Sequence, residues 1–264
     1  MAAAWLRGFA YVLLILAPVV ARADAPPSVF LEDLTSPELA ARVRAGATTV
    51  IIPVGGTEQN GAHMALGKHN VRVRVLAERI ARALGNAIVA PVIAYVPEGS
   101  VNPPAGHMRY PGSITVPPDA YRAVIESAAR SLRLAGFRDI VLIGDSGDYQ
   151  KDNAAVAAKL DKEWAAAPVR VHAVNEYYRA ATSEFVESLR KQGFKDGEIG
   201  PHAGLADTSL MLATEPALVR KDRMQKSEGV TGDPARATAQ LGQGAADVIV
   251  LQTVAAIRAA TQRK

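Results

Sequence analysis

The feature that most constrains this chain is an alternation. Uninterrupted apolar runs at 48–54, 87–95, 139–144 and 169–174 take turns with stretches whose apolar residues recur at helical spacing, at 37–44, 70–84, 117–134, 153–166, 177–191, 208–218 and 244–261. The stretch 70–84 carries Val71, Val75, Leu76, Ile80 and Leu84, with Gly85 placed to stop it, and Gly136 stops the next helix. Ser36 is placed to cap the first helix. Strands that are apolar on both faces need cover on both faces. The expectation is a three-layer α/β/α sandwich with a mainly parallel sheet.

Residues 1–25 read as a signal peptide. Arg7 precedes an apolar run at 9–20, and small residues stand at Ala21, Ala23 and Ala25 for cleavage near Ala23 or Ala25. One domain, 26–264, is expected to follow, exported to the periplasm or secreted, with no membrane partner after cleavage. Residues 1–23 hold two of the 30 basic residues, Arg7 and Arg22, and none of the 26 acidic ones, so cleavage after Ala23 leaves 28 against 26, or +2. Those charges are interspersed and not gathered with aromatics, which argues against a nucleic-acid partner. The absence of cysteine excludes a thiol nucleophile and a zinc–thiolate site.

The chemistry-bearing residues fall after the strands. Glu58, His63 and His69 follow the first, His107 lies in the loop after the second, and Asp145 follows the third. Open parallel sheets build their sites at these strand ends. A Glu, His and Asp set with an open position suits a hydrolytic zinc or manganese site. Ser146, in Gly144-Asp-Ser-Gly-Asp, is an alternative nucleophile if an imidazole stands beside it. Lys68 is expected to lie in solvent.

Taken together, four segments resemble the creatininase (creatinine amidohydrolase) family. Pro53-Val-Gly-Gly-Thr-Glu58-Gln-Asn60-Gly-Ala-His63 is similar to its P-x-G-(2)-E-Q-H-G-x-H pattern. His107-Met-Arg-Tyr-Pro111-Gly112-Ser is similar to H-x-x-(F/Y)-P-G-T, Ile143-Gly-Asp145-Ser-Gly-Asp148 takes the place of N-G-H-G-G-N, and Pro201-His202-Ala-Gly-Leu205-Ala-Asp207-Thr-Ser is similar to H-A-G-E-x-E-T-S. The resemblance implies the sandwich fold and a metal-dependent hydrolase acting on a C–N amide bond of a small molecule, with a metal-bound water as nucleophile. It also implies an oligomer, often a hexamer.

The departures shape the expected site. Family members bind two divalent metals. Here Glu58 is kept, Asn60 replaces a histidine ligand, His69 replaces an aspartate, Asp145 replaces a histidine, and Gly147 stands where a carboxylate can be supplied. The exchange at His69 and Asp145 implies one divalent metal, zinc or manganese, held by Glu58, His69 and Asp145. His202 and Asp207 are the expected proton carriers, and His63, His107 and Asn60 the expected substrate contacts. Creatinine itself is not the expected substrate. A metal- or small-molecule-binding protein without catalysis is the alternative that Asn60 and Leu205, where a family Glu is lost, keep open.

Overall fold

The computed structural model describes Met1 and residues 28–262. The expected signal peptide therefore lies outside the described residues. Four strands, β1 (Thr49–Val54), β2 (Ala87–Val89), β3 (Asp139–Gly144) and β4 (Arg170–Ala173), form a fully parallel sheet in the order β2-β1-β3-β4. The helices are α1 (Ser36–Arg44), α2 (Lys68–Leu84), α3 (Pro118–Leu134), α4 (Gln150–Glu163), α5 (Glu176–Arg179), α6 (Phe185–Lys191), α7 (Asp196–Ile199), α8 (Leu205–Thr214) and α9 (Ala239–Thr261). A π-helical turn, Ala180–Glu184, joins α5 to α6.

The pleat of β1 explains the layers. Val50, Ile52 and Val54 pack with Ile140 and Leu142 of β3 against Tyr121 and Ile125 of α3 and Val156 and Leu160 of α4. On the other face Ile51 joins Val141 and Ile143 of β3 against Val73, Leu76 and Ile80 of α2, Tyr177, Leu210 and Ile249. The three-layer α/β/α reading is the fold observed. α9 is long and apolar enough to cross a membrane. Its Ala245, Ala246, Ile249, Val254 and Ile257 nevertheless pack into the core, so it is a helix of the sandwich.

Among the boundaries that differ from the sequence reading, three bear on the argument. The second strand closes after Val89, and 90–95 contributes only an isolated bridge, Ile93 to Val54. Thr35, not Ser36, caps α1, in a capping box with Glu38. Most consequential, α2 begins at Lys68 instead of Asn70, and its buried face runs through Lys68, His69, Arg72, Val73, Leu76, Ala77 and Ile80. Val71 and Val75 are only partly covered.

The chain leaves β1 for β2 through α2 on one face, then returns to β3 through α3 on the other. The β1 and β3 carboxyl ends therefore flank the point where the winding reverses, which is where such sheets open a crevice.

Candidate active site

The loop after β1 is clamped onto the first turn of α2. Asn70 Oδ1 accepts from the Gly56 N–H at 2.9 Å, and Asn70 Nδ2 donates to Thr57 Oγ1 at 3.1 Å. A Cβ at Gly55 would lie 2.1 Å from Asn70 Oδ1, so only glycine allows this approach. From the β3 side, Tyr149 Oη accepts from the Asp145 and Ser146 N–H groups and lies 2.6 Å from the Gly55 carbonyl. These contacts set Glu58, His69 and Asp145 around one polar cavity of about 190 Å³, whose lining also includes Lys68, Arg72, His107, Ser146, Asp148, Tyr178, His202 and Asp207.

The inner part of this cavity is an ion-pair cluster. His69 Nδ1 lies 2.6 Å from Asp145 Oδ2, and His69 Nε2 lies 2.9 Å from Glu58 Oε1. Lys68 Nζ pairs with Glu58 at 3.2 Å and with Asp207 at 3.0 Å. Arg72 binds Asp145 at 2.8 Å and Asp207 at 2.9 Å. Tyr177 Oη donates to the second Asp145 oxygen at 2.7 Å. Burial opposes the charge on Glu58, Lys68, His69, Arg72 and Asp207, but their partners outweigh it. Lys68 and His69 hold the Glu58 carboxyl well below the usual range, and Lys68 and Arg72 do the same for Asp207. Asp207 and Glu58 raise the Lys68 pKa, Asp145 and Asp207 raise that of Arg72, and the Glu58 charge with the Asp145 hydrogen bond raises that of His69.

Glu58, His69 and Asp145 are thus brought together, but not around a common point. The two ring nitrogens of His69 face opposite carboxylates, and both are engaged. A metal ligand needs a bare nitrogen lone pair aimed at the ion. The expected metal set therefore does not fit a metal. Lys68, expected in solvent, has 1% side-chain exposure. Asp207, expected as a proton carrier, is held in the cluster, with Lys68, Arg72 and the Ala203 N–H on its oxygens.

The outer part centres on His107. Its Nε2 lies 3.0 Å from Glu58 Oε2, and its ring lies against that of His202, 4.6 Å between centroids. Ligand atoms of Glu58, His107 and His202 converge within 4.8 Å of one another, as do those of Glu98, His107 and Asp148. Glu98 has both carboxyl oxygens buried without a hydrogen-bond partner, and burial with the adjacent Glu58 charge pushes its pKa up to about 9. A buried acid lacking a counter-charge is what a divalent cation would satisfy. Both His107 nitrogens are also approached, by Glu58 and, at 3.4 Å, by Gln59 Nε2; it is the unpartnered Glu98 oxygens that make the outer set fit a metal better than the inner one.

His202 is poised beside it. Its Nε2 lies 2.9 Å from the Gln59 backbone carbonyl and 3.1 Å from Gln59 Nε2, and its Nδ1 lies 3.6 Å from Glu58. Burial and then Lys68 depress its pKa to about 4, which keeps the ring neutral. Two expected substrate contacts turn away from the cavity. Asn60 Nδ2 closes its own loop on the Glu58 and Ala65 carbonyls, and buried His63 braces Thr208 Oγ1 at 2.9 Å. No imidazole is hydrogen-bonded to Ser146 Oγ among the described residues, so the serine nucleophile has no base. Arg72 and Glu98 were missed from sequence. For Arg72 the signal was there: the stripe of Val73, Leu76, Ala77 and Ile80, carried back one turn, reaches His69 and Arg72.

Comparison with known proteins gives one consistent outcome. The family model described as creatininase, creatinine amidohydrolase, matches residues 32–257. The creatinine amidohydrolase of Pseudomonas putida is 28% identical over 215 residues, covering 78% of this chain and 80% of that protein. The mycofactocin precursor peptide peptidase of Mycobacterium tuberculosis is 24% identical over 233 residues, covering 74% and 78%. A creatininase structure with Mn superposes with a TM-score of 0.72 at 26% identity, over 89% of this chain and all of that one. A mutant creatininase of Zn-Zn type gives 0.69 at 26% identity, over 90% and 100%.

Proposed function

The chain belongs to the creatininase family, and from that premise we propose that it hydrolyses a C–N bond of a small molecule with the help of one divalent cation held at the His107 cluster. Members of the family are metal-dependent amidohydrolases, and the mycofactocin relative is a peptidase on a precursor peptide. The observation that carries the reading is the meeting at His107 of two donor sets, one with Glu58 and His202, the other with Asp148 and the unpartnered Glu98.

His107, Glu98 and Asp148 would hold the ion, with Glu58 beside them. When bound, it supplies a Lewis acid and lowers the pKa of water at the site. The chain's own groups do the rest. Lys68 and His69 anchor one Glu58 oxygen and leave the other facing His107. With Nε2 donating to the Gln59 carbonyl, His202 takes a proton from water at Nδ1 and returns it to the leaving nitrogen. The polar inner wall of Lys68, Arg72 and Asp207 favours a polar substrate over an apolar one. The leader motif supports action outside the cytoplasm.

Elemental analysis with an amide-substrate screen tests the reading. The expected result is one zinc or manganese per chain, activity lost to a chelator and restored by either ion, metal lost in His107→Ala, and activity lowered about a hundredfold in His202→Ala with the metal retained. Chelator-insensitive activity, or metal bound without turnover of any amide, would overturn it.

A further inference from the structure

We infer that Lys68 and Arg72 are resident cations standing in for a divalent ion in the inner half of the site, so that this chain carries one metal centre, with the second replaced by its own side chains. This concerns the inner cluster and stands whether or not an amide is turned over.

Three carboxylates converge there, one after β1, one after β3 and one in the first turn of α8. Such a group of buried acids normally calls for a metal. Here each already has a permanent cation. Glu58 meets Lys68 at 3.2 Å, Asp145 meets Arg72 at 2.8 Å, and Asp207 meets both, at 3.0 and 2.9 Å. Both cations come from α2 one turn apart, and their side chains are 1% and 3% exposed.

The remaining donors are also spent. His69 bridges Glu58 and Asp145 through its two nitrogens, and Tyr177 Oη donates to Asp145. At Gly147 a carboxylate would have to displace the Tyr178 side chain, because a Cβ there would lie 2.6 Å from Tyr178 Oη. An added dication would meet two positive charges in a buried setting, with both His69 nitrogens and the oxygens of Glu58, Asp145 and Asp207 already engaged. The geometry is that of a metal site whose ions have been exchanged for ammonium and guanidinium groups.

The test is Mn²⁺ titration, by calorimetry, of the full chain carrying His107→Ala, which removes the outer centre. No binding is expected, and none should appear or vanish when Asp145→Asn or His69→Gln is added. Binding to His107→Ala that is lost with Asp145→Asn would overturn the inference. A second arm removes the resident cation. In His107→Ala with Lys68→Ala, the freed Glu58 and Asp207 should bind Mn²⁺ at least about tenfold more tightly than in His107→Ala alone. Equal binding in the two folded variants would count against the exchange. If Lys68→Ala does not fold, the first arm still decides. Failure of the outer centre shows separately, as absence of metal from the unmutated protein.

Discussion

A lysine with 1% side-chain exposure must be compensated, and Lys68 is compensated twice, by Glu58 and by Asp207. Removing it strands charge in the core. Lys68→Ala is therefore expected to lower unfolding free energy by about 3–5 kcal/mol in urea titrations, as for other broken buried pairs. A loss within about 0.5 kcal/mol, as at ordinary surface positions, would contradict the ion-pair account. Glu98 makes the opposite prediction. Its folded pKa, raised to about 9 against an ordinary 4.5, means that the folded protein holds a proton the unfolded chain has lost. Stability is then lost as pH rises between those values. In the presence of chelator, Glu98→Gln should gain on the unmutated protein by roughly 2–3 kcal/mol between about pH 6 and about pH 8. A constant difference across that range would contradict it. Glu58 and Asp145 were legible in the sequence because strand ends are where chemistry sits. The exchange of residue types at His69 and Asp145 was legible too, but the direct contact between them was not: a sequence shows which residue types could ligate, and not which nitrogens a neighbouring carboxylate has already taken.

At the scale of elements, the first turn of α2 decides the site. Reading the helix from Asn70 left Lys68 and His69 in a loop and assigned the lysine to solvent. Starting it at Lys68 turns Lys68, His69 and Arg72 inward with the apolar stripe. The strong apolar pattern fixed the body of the helix. The polar residues that extend its buried face gave no apolar signal, because their burial depends on partners after β1, after β3 and in α8. The same turn carries Asn70, whose side chain clamps the β1 loop at Gly56 and Thr57. Asn70→Ala should cost about 1–3 kcal/mol from the lost partner of the Gly56 N–H. It should also lower kcat/KM, since Glu58 sits two residues beyond that contact. Unchanged stability by thermal melting would show that the clamp does not hold the loop.

Across the whole molecule, the parallel sheet sets two loops side by side at the reversal between β1 and β3, and the helices on one face bring α2 and α8 to the same crevice. The alternation in the sequence was enough for this architecture, since strands apolar on both sides admit few others. It could not show how the crevice divides into an inner half closed by its own cations and an outer half centred on His107. That division depends on side chains from four separate segments. The direct measurement is the anomalous scattering map of a crystal grown with Mn²⁺. One peak is expected, within about 2.0–2.3 Å of a His107 nitrogen, with Lys68 and Arg72 still paired to Glu58, Asp145 and Asp207. A peak among Glu58, His69 and Asp145, with Lys68 displaced, would contradict the account.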